Sequence, residues 1–444
     1  FKLITNGTHG FLSVYFFSNH RPCFSMSPPV AACPVETSLI MVSTYTDNAV
    51  LAHIPKGDKG DGVVSFHLDV KSGQLMRLNT AAVGPNIAFL LKHPQLNIVY
   101  ATTECINQNG EVLTMALGPD GALTVLQRTD AGGRSTCYLN LDRELRLLTV
   151  VNYWDAKVCT FSVNEDGTLG MACDMDMLPG AEYVMEKNPD RMEHWQYRQR
   201  WPHAHCAKSE PYNKDRMFVC DLGRDKVLHY VLDRETGKLR LTGDVQLERG
   251  IGPRHIEFHP RLRVAYVTCE LNSTVLVCQF NKDRESQITA DSLPLMDDVE
   301  DKGALLRQVQ VLSTLPGDWH NQFSLNEQGI WKAASHSSEI RLHPNGRFLY
   351  IGNRGHDSIA CFMIDQQTGL LTLAGVCPSG GKTPRNFDVD ASGKWMVVGN
   401  QDSNILTVHA IDDSNGTLTP TSQVKCASVN YVYPVPQGMR TSAA

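Results

Sequence analysis

No stretch of this 444-residue chain approaches the roughly 18 consecutive apolar residues that a bilayer-crossing helix requires, so a helical membrane span is excluded. Basic residues do not outnumber acidic ones: 41 Lys and Arg stand against 47 Asp and Glu, a net charge of −6. Nucleic acid and anionic membranes need a positive field and are excluded as main partners, although a basic pocket can persist inside an acidic whole. The 13 cysteines contain no C-x-x-C pair, which removes the usual zinc and dithiol readings. Their number is odd, and Cys159, Cys220, Cys269, Cys278 and Cys361 lie in apolar strand-like runs, where thiols pack as small hydrophobes. A reduced, cytoplasmic compartment is therefore expected. Helical patterning is nearly missing too, apart from the charged stretch near 183–200. Residues 1–37 read as an irregular N-terminal extension. The apolar piece Phe11–Phe17 is too short, and lacks the basic start, for a signal peptide. Met26, ahead of Ser27-Pro28-Pro29, is the expected native start, which leaves residues 1–25 as a segment outside the native protein.

What is present is a repeat. One element alternates apolar and polar residues, turns at an acidic-polar-Gly cluster and ends in Leu or Ile. It reads VVSFHLDVKSGQL at 63–75, EVLTMALGPDGAL at 111–123 and KVCTFSVNEDGTL at 157–169. It returns at 226–239, 273–288, 358–371 and 404–418, and only the copy at 273–288 lacks the turn glycine. Period-2 alternation closed by a Gly-bearing turn signals a β-hairpin. A second strand-turn-strand element precedes it, as in IEFHPRLRVAYVTCE at 256–270. Each unit thus supplies four strands, and uninterrupted units repeat every 46–48 residues or so, the period of propeller blades. The fold class expected is all-β: a single seven-bladed β-propeller over 38–444, whose ring leaves no long free edge. The strand at 39–46 is expected to complete the last blade beside the C-terminal segment. Insertions break the period at about 180–201 and 286–335 and are expected as loops over the functional mouth.

Function in such a ring belongs to the central channel lined by the innermost strands. Aligning the units on Pro94, Asp142, Pro211, Pro260, Pro344 and Ala391 places Ala88, Thr136, His205, Arg254, Ser338 and Arg385 six residues upstream, with Asn86, His203, His255, Glu339 and Asn386 as neighbours. The far end of each paired strand gives Glu104, Asn152, Asp221, Glu270, Asn353 and Asn400, with Arg354 and Gln401 beside two of them. Such variation in charge at one repeat position is more than a scaffold needs. Plainer readings stand beside it. His93, His259 and His343 sit in His-Pro turns and read as turn chemistry. Asn152, Asp221, Asn353 and Asn400 can bond strand-end backbone. Arg254 and Arg385 can be half of a buried ion pair with Glu270 or another carboxylate. Cys206 as a nucleophile is disfavoured, because in a regular strand it points away from His205. Trp319 and His320, inside the second insertion, are weaker candidates for the mouth.

At these residues the chain resembles the lactonase family of seven-bladed propellers, which includes propeller-type 6-phosphogluconolactonases and fungal 3-carboxy-cis,cis-muconate lactonizing enzymes. The resemblance rests on VSTYT (42–46), PHAH (202–205), DLGRDKV (221–227), GPRHIEFHP (252–260), YVTCELNSTV (266–275), the run from Ser338 to Ile359 containing NRGHDSI, and TPRNFDVDASGKW (383–395). It spans about 38–420 but neither insertion. The resemblance implies a catalytic set of His205, Arg254, Glu270 and Arg354. Arg385, His203, His255, Glu339, Asn400 and Gln401 are expected to hold the substrate, a small carboxylate or phosphate anion of the kind arginine binds bidentately. Hydrolysis of an anionic sugar lactone is the leading expectation, with His205 or Glu270 as general base and an arginine at the oxyanion. Carboxymuconate cycloisomerisation on the same residues is the alternative, and a non-catalytic interaction platform the third. No cofactor is expected. A divalent cation on Glu104, Asn152, Asp221, Glu270 and Asn400 is disfavoured by the arginines crowding the same ring.

Overall fold

A computed structural model describes residues 37–51, 55–181, 196–282, 304–320, 322–325 and 331–436. Residues 1–36 of the expected N-terminal extension, with the expected start at Met26, lie outside the described residues, and Thr37 already belongs to a strand. Seven four-stranded antiparallel sheets follow one another around a ring. The innermost strands of blades 1 to 6 are Ile87–Lys92, Thr136–Leu141, Ala204–Ser209, Pro253–Phe258, His336–Leu342 and Pro384–Val389. Blade 7 is composite: its innermost strand is Val429–Pro434, which pairs with Thr37–Thr44, then Val63–Asp69 and Leu75–Ala81. The two ends of the described chain therefore close the ring by hydrogen bonds, as the strand at 39–46 suggested.

The middle strands of each blade are buried on both faces between neighbouring blades, which explains why Ile98–Thr103, Val264–Cys269 and Trp395–Asn400 are almost continuously apolar or small. Among the described residues, the hairpin turns dock on the blade before. The Ser65 hydroxyl donates to the Gly121 carbonyl, Tyr100 to Gly167, Thr160 to Gly237 and Tyr266 to Gly369. These are the glycines that marked the repeat. They have φ between 72° and 84°, and a Cβ at any of them would fall within 3.0 Å of the blade before. The period in the sequence is thus the period of blade-on-blade contact.

The turn histidines follow the plain reading. His259 Nδ1 accepts the N–H groups of Arg261 and Leu262 while Nε2 faces the Gly346 carbonyl of the next blade. In blade 2 Asp142 does the same work, accepting the N–H groups of Glu144, Arg146 and Leu147.

The insertion expected at 286–335 is two connections separated by a strand. Leu306–Ser313 is the fourth strand of blade 4 and pairs with Thr274–Phe280. Residues 281–305 therefore join the third and fourth strands, whose ends Phe280 and Leu306 pair on the side of the blade away from Arg254. Only the part from Thr314 onward leads into an innermost strand; it carries a small sheet of Phe323–Leu325 and Trp331–Ala333. Trp319 packs edge-on against His356, 4.6 Å between ring centres, and His320 is exposed beside it.

Candidate active site

All seven innermost strands carry a β-bulge at the same point. Pairing shifts by one residue between Ile87 and Phe89, Thr136 and Tyr138, Ala204 and Cys206, Pro253 and His255, Ser337 and Ile340, Pro384 and Asn386, and at Asn430 in blade 7. A bulge re-aims the extra side chain out of the alternation. Here it turns Ala88, Cys137, His205, Arg254, Arg385 and Asn430 toward the axis, where they line one narrow cavity with Tyr45, Glu104, His255 and Glu339. The blade 2 position is Cys137, not the Thr136 expected. Asp142 occupies the place of the turn histidines, so the alignment there slips by one. Thr136 is fully buried and donates to Asn152. Ser338 donates its hydroxyl to the Pro384 carbonyl of the next blade.

The ring at the far end of the paired strands also needs correction. The residues paired just before the bulges of the innermost strands are Asn152, Asp221, Asn353 and Asn400, but Thr103 and Cys269 in blades 1 and 4. Glu104 and Glu270 lie one residue further, level with Tyr45, Tyr153, Arg354 and Gln401. The asparagines of the first set hold the link arriving from the blade before: Asn152 donates to the Ala131 carbonyl, Asn353 to the Thr314 carbonyl, and Asn400 to the Ser379 carbonyl and to Thr407 of its own blade. Asp221 accepts the N–H groups of His203, Gly223 and Arg224. Asn400 is thus a clasp on the backbone entering blade 6 and not a group on the channel. Gln401 is buried with neither amide atom hydrogen-bonded.

The second set meets the bulge residues around Glu270. Its Oε2 lies 3.1 Å from Arg254 Nε and 3.1 Å from Arg354 Nη2, and its Oε1 accepts from Arg198 Nη2 at 3.0 Å. Burial alone would raise the Glu270 pKa; the guanidiniums of Arg354, Arg198 and Arg254 overcome it and hold the carboxyl well below its usual range. Burial pushes Arg354 down to about 10 despite that carboxylate. Arg198 also donates to the Tyr153 hydroxyl at 3.1 Å.

His205 is 5.3 Å from Tyr153 and 5.1 Å from His255, ring centre to ring centre. Burial, then the charge of Arg254 and contact with His255, lower its pKa well below the ordinary histidine value, so it is neutral at pH 7. Its Nδ1 is buried without a hydrogen-bond partner. His203 lies outside the strand, stacked on the Tyr153 ring at 4.3 Å, and burial takes it down to about 3. Across the axis Arg385 Nε donates to Asn430 at 2.6 Å and its guanidinium lies over the Tyr45 ring, whose hydroxyl donates to Glu104 at 2.7 Å. Cys206 pairs across its strand with Cys220, fully buried and away from the cavity.

Below this lies a floor. His255 Nδ1 meets Glu339 at 2.8 Å, Arg341 Nη1 donates to the same oxygen at 2.9 Å, and Asn386 donates to the other. Phe89, Tyr138 and Tyr431 complete the layer, Phe89 lying 4.6 Å and 4.3 Å from the two tyrosine rings. Glu339 is fully engaged here, so it supports the site rather than facing its mouth. Beneath the floor is a second chamber of about 670 Å³, whose lining includes the ion pairs of Lys208 with Glu257 and Arg341 with Asp388.

The upper cavity holds about 30 Å³, room for one water but not for a sugar ring. Three of the four residues named for chemistry, Arg254, Glu270 and Arg354, are joined by direct ion pairs, and His205 stands beside them against Tyr153. Sequence reasoning missed Arg198, Tyr153, Tyr45 and Asn430. Tyr153 and Tyr45 each follow a strand end, so counting one position further would have found them; Arg198 lies in an insertion without a repeat partner. Among the described residues no three His, Cys, Asp or Glu side chains converge as metal ligands.

Residues 39–434 match the family model described as lactonase, 7-bladed beta-propeller. A 6-phosphogluconolactonase of Bacillus subtilis is 30% identical over 375 residues, covering 84% of this chain and 93% of that protein. A probable 6-phosphogluconolactonase of Arthroderma benhamiae is 26% identical over 397 residues, 86% and 88% of the two chains. The periplasmic gluconolactonase of Pseudomonas aeruginosa shares the fold, with a TM-score of 0.72 at 23% identity over 90% of this chain and 99% of that one.

Proposed function

The chain belongs to the lactonase family of seven-bladed propellers, and from that premise we propose that it hydrolyses a small anionic sugar lactone in the upper channel. The observation that carries the reading is a neutral His205 with a free ring nitrogen, next to a cluster in which guanidiniums outnumber carboxylates three to one.

His205 takes a proton from the water in the narrow cavity as that water attacks the lactone carbonyl. Arg254 and Arg354 face the tetrahedral oxyanion, a stabilisation of about 3–4 kcal/mol per well-placed donor. The ring C–O bond then breaks, and the leaving alkoxide recovers the proton from His205. Atoms and charge balance: lactone and water become the hydroxy acid. Glu270 is a poor base, because three arginines hold its charged form. Its role is to position those arginines without neutralising them all. His255, with Nδ1 fixed by Glu339, supports His205 from below.

The test is a pH-indicator assay of the EDTA-treated protein on 6-phosphogluconolactone, with loss of 3-carboxymuconate absorbance run in parallel. Acid release above the spontaneous rate, abolished by Arg254→Ala, is the expected result. Turnover of the muconate alone would assign the same residues to ring formation, and silence on both would overturn the reading.

A further inference from the structure

Arg198 is the one guanidinium on Glu270 that the repeat does not supply. It stands on the short turn Gln196–Gln199, in the insertion between blades 2 and 3. Its position differs from that of its companions: the Arg198 side chain is 36% exposed, against 6% for Arg254 and 17% for Arg354. It approaches Glu270 from the mouth side. Only its Nη2 is engaged, by Glu270 and Tyr153, and its Nε and Nη1 donate to nothing among the described residues.

The charge around it is unbalanced. Among the described residues, Arg198, Arg254, Arg354 and Arg385 face Glu270 and Glu104, two more positive charges than negative, in a place where His205 is neutral. Arg254 Nε and Arg354 Nε are buried with no hydrogen-bond partner of good geometry. A neutral lactone leaves this excess uncompensated, whereas a ligand with two negative charges matches it. The narrow cavity leaves no depth for a charged tail below, so the tail must lie at the mouth, where Arg198 has donors to spare.

We propose that Arg198 determines specificity by binding the distal phosphate of the substrate, which selects phosphorylated over neutral sugar lactones. This rests on the lactone-hydrolysis reading and adds to it a residue from outside the repeat. Guanidinium and phosphate meet through paired charge-assisted hydrogen bonds, and loss of such contacts costs roughly 10- to 100-fold in affinity.

The experiment is calorimetric titration of the full chain with 6-phosphogluconate and with gluconate, two open-chain products that differ only in the phosphate. The wild type is expected to prefer the phosphorylated acid at least tenfold. Arg198→Ala is expected to lose most of that preference and Arg198→Lys, which keeps the charge but not the fork, to retain part of it, with both variants melting like the wild type. In steady-state assays the ratio of kcat/KM for phosphorylated over neutral gluconolactone falls through KM. A wild type without preference, or an Arg198→Ala that keeps it, overturns the proposal. Equal losses on both ligands would overturn it as well, since Arg198 would then only be ordering Glu270. Preference for the phosphorylated acid without any lactone turnover would instead leave Arg198 standing and refute the hydrolase reading.

Discussion

At the scale of residues, the division of labour proposed for His205 and Glu270 follows from what surrounds each. A carboxylate among three guanidiniums is strongly favoured charged and therefore weakly basic; a buried imidazole beside an arginine is favoured neutral and keeps a lone pair to offer. His205→Gln is expected to lower kcat by roughly 10²- to 10⁴-fold, the range for loss of a positioned base. Glu270→Gln is expected to act chiefly through KM, because it loosens Arg254, Arg354 and Arg198 together; a kcat loss as large as that of His205→Gln would reassign the base. The pH profile provides an independent check. A lowered histidine pKa means the basic form persists as pH falls, so kcat/KM should stay flat from pH 8 through the ordinary histidine range near 6.5 and drop only below it. An inflection at 6.5 would show that the acting histidine is not the buried one. His205, Arg254, Glu270 and Arg354 were legible because motif segments carried them. Arg198 was not, since one arginine in a charged insertion is indistinguishable from surface charge until the fold delivers it to Glu270. Asn400 misled because a strand-end amide that clasps the backbone entering its blade looks, in sequence, like one that faces a ligand.

At the scale of elements, the bulge is what the alternating pattern concealed. The strand starts at Ala204, which leaves His203 outside it, and the bulge turns His205 inward alone. The slip between Glu104 or Glu270 and the asparagines in the second ring has another origin: counted from the turn, Thr103 and Cys269 stand where Asn353 and Asn400 do, and the two glutamates come one place later. Glycine holds this geometry in blade 4. Gly252, two residues before Arg254, has φ 60°, accepts the Glu270 N–H, and would place a Cβ 2.6 Å from Leu271 Cγ. Gly252→Ala is expected to cost about 1–3 kcal/mol of unfolding free energy from backbone strain and crowding, and to raise KM because Arg254 and Glu270 shift with it. Gly317 has no atom within 4 Å of a Cβ and no positive φ, so Gly317→Ala is the matched control. Urea midpoints and KM for both variants decide the matter; equal behaviour would mean the bulge tolerates the change.

At the scale of the whole molecule, the ring concentrates stability and site alike in its closure. The strand Val429–Pro434 buries Val429, Tyr431 and Val432 almost completely, and these are worth roughly 1.5–3 kcal/mol each in removal from water. That sum is a large part of the 5–15 kcal/mol by which folded proteins exceed their unfolded chains. Losing the strand would also bare the edge of Thr37–Thr44 and remove Asn430 from Arg385 and Tyr431 from Arg341, so the channel would lose its floor and one wall together. Deletion of residues 429–444 is therefore expected to abolish soluble, cooperatively melting protein, the freed edge inviting association with other chains. Deletion of 437–444 alone, beyond the closing strand, is expected to leave the melting temperature and lactone turnover as they are. Size-exclusion elution, thermal melting and the turnover assay on the two truncations test this. A 429–444 deletion that still melts cooperatively would show that six blades and a three-stranded remnant suffice, and that closure tunes the site rather than making the fold.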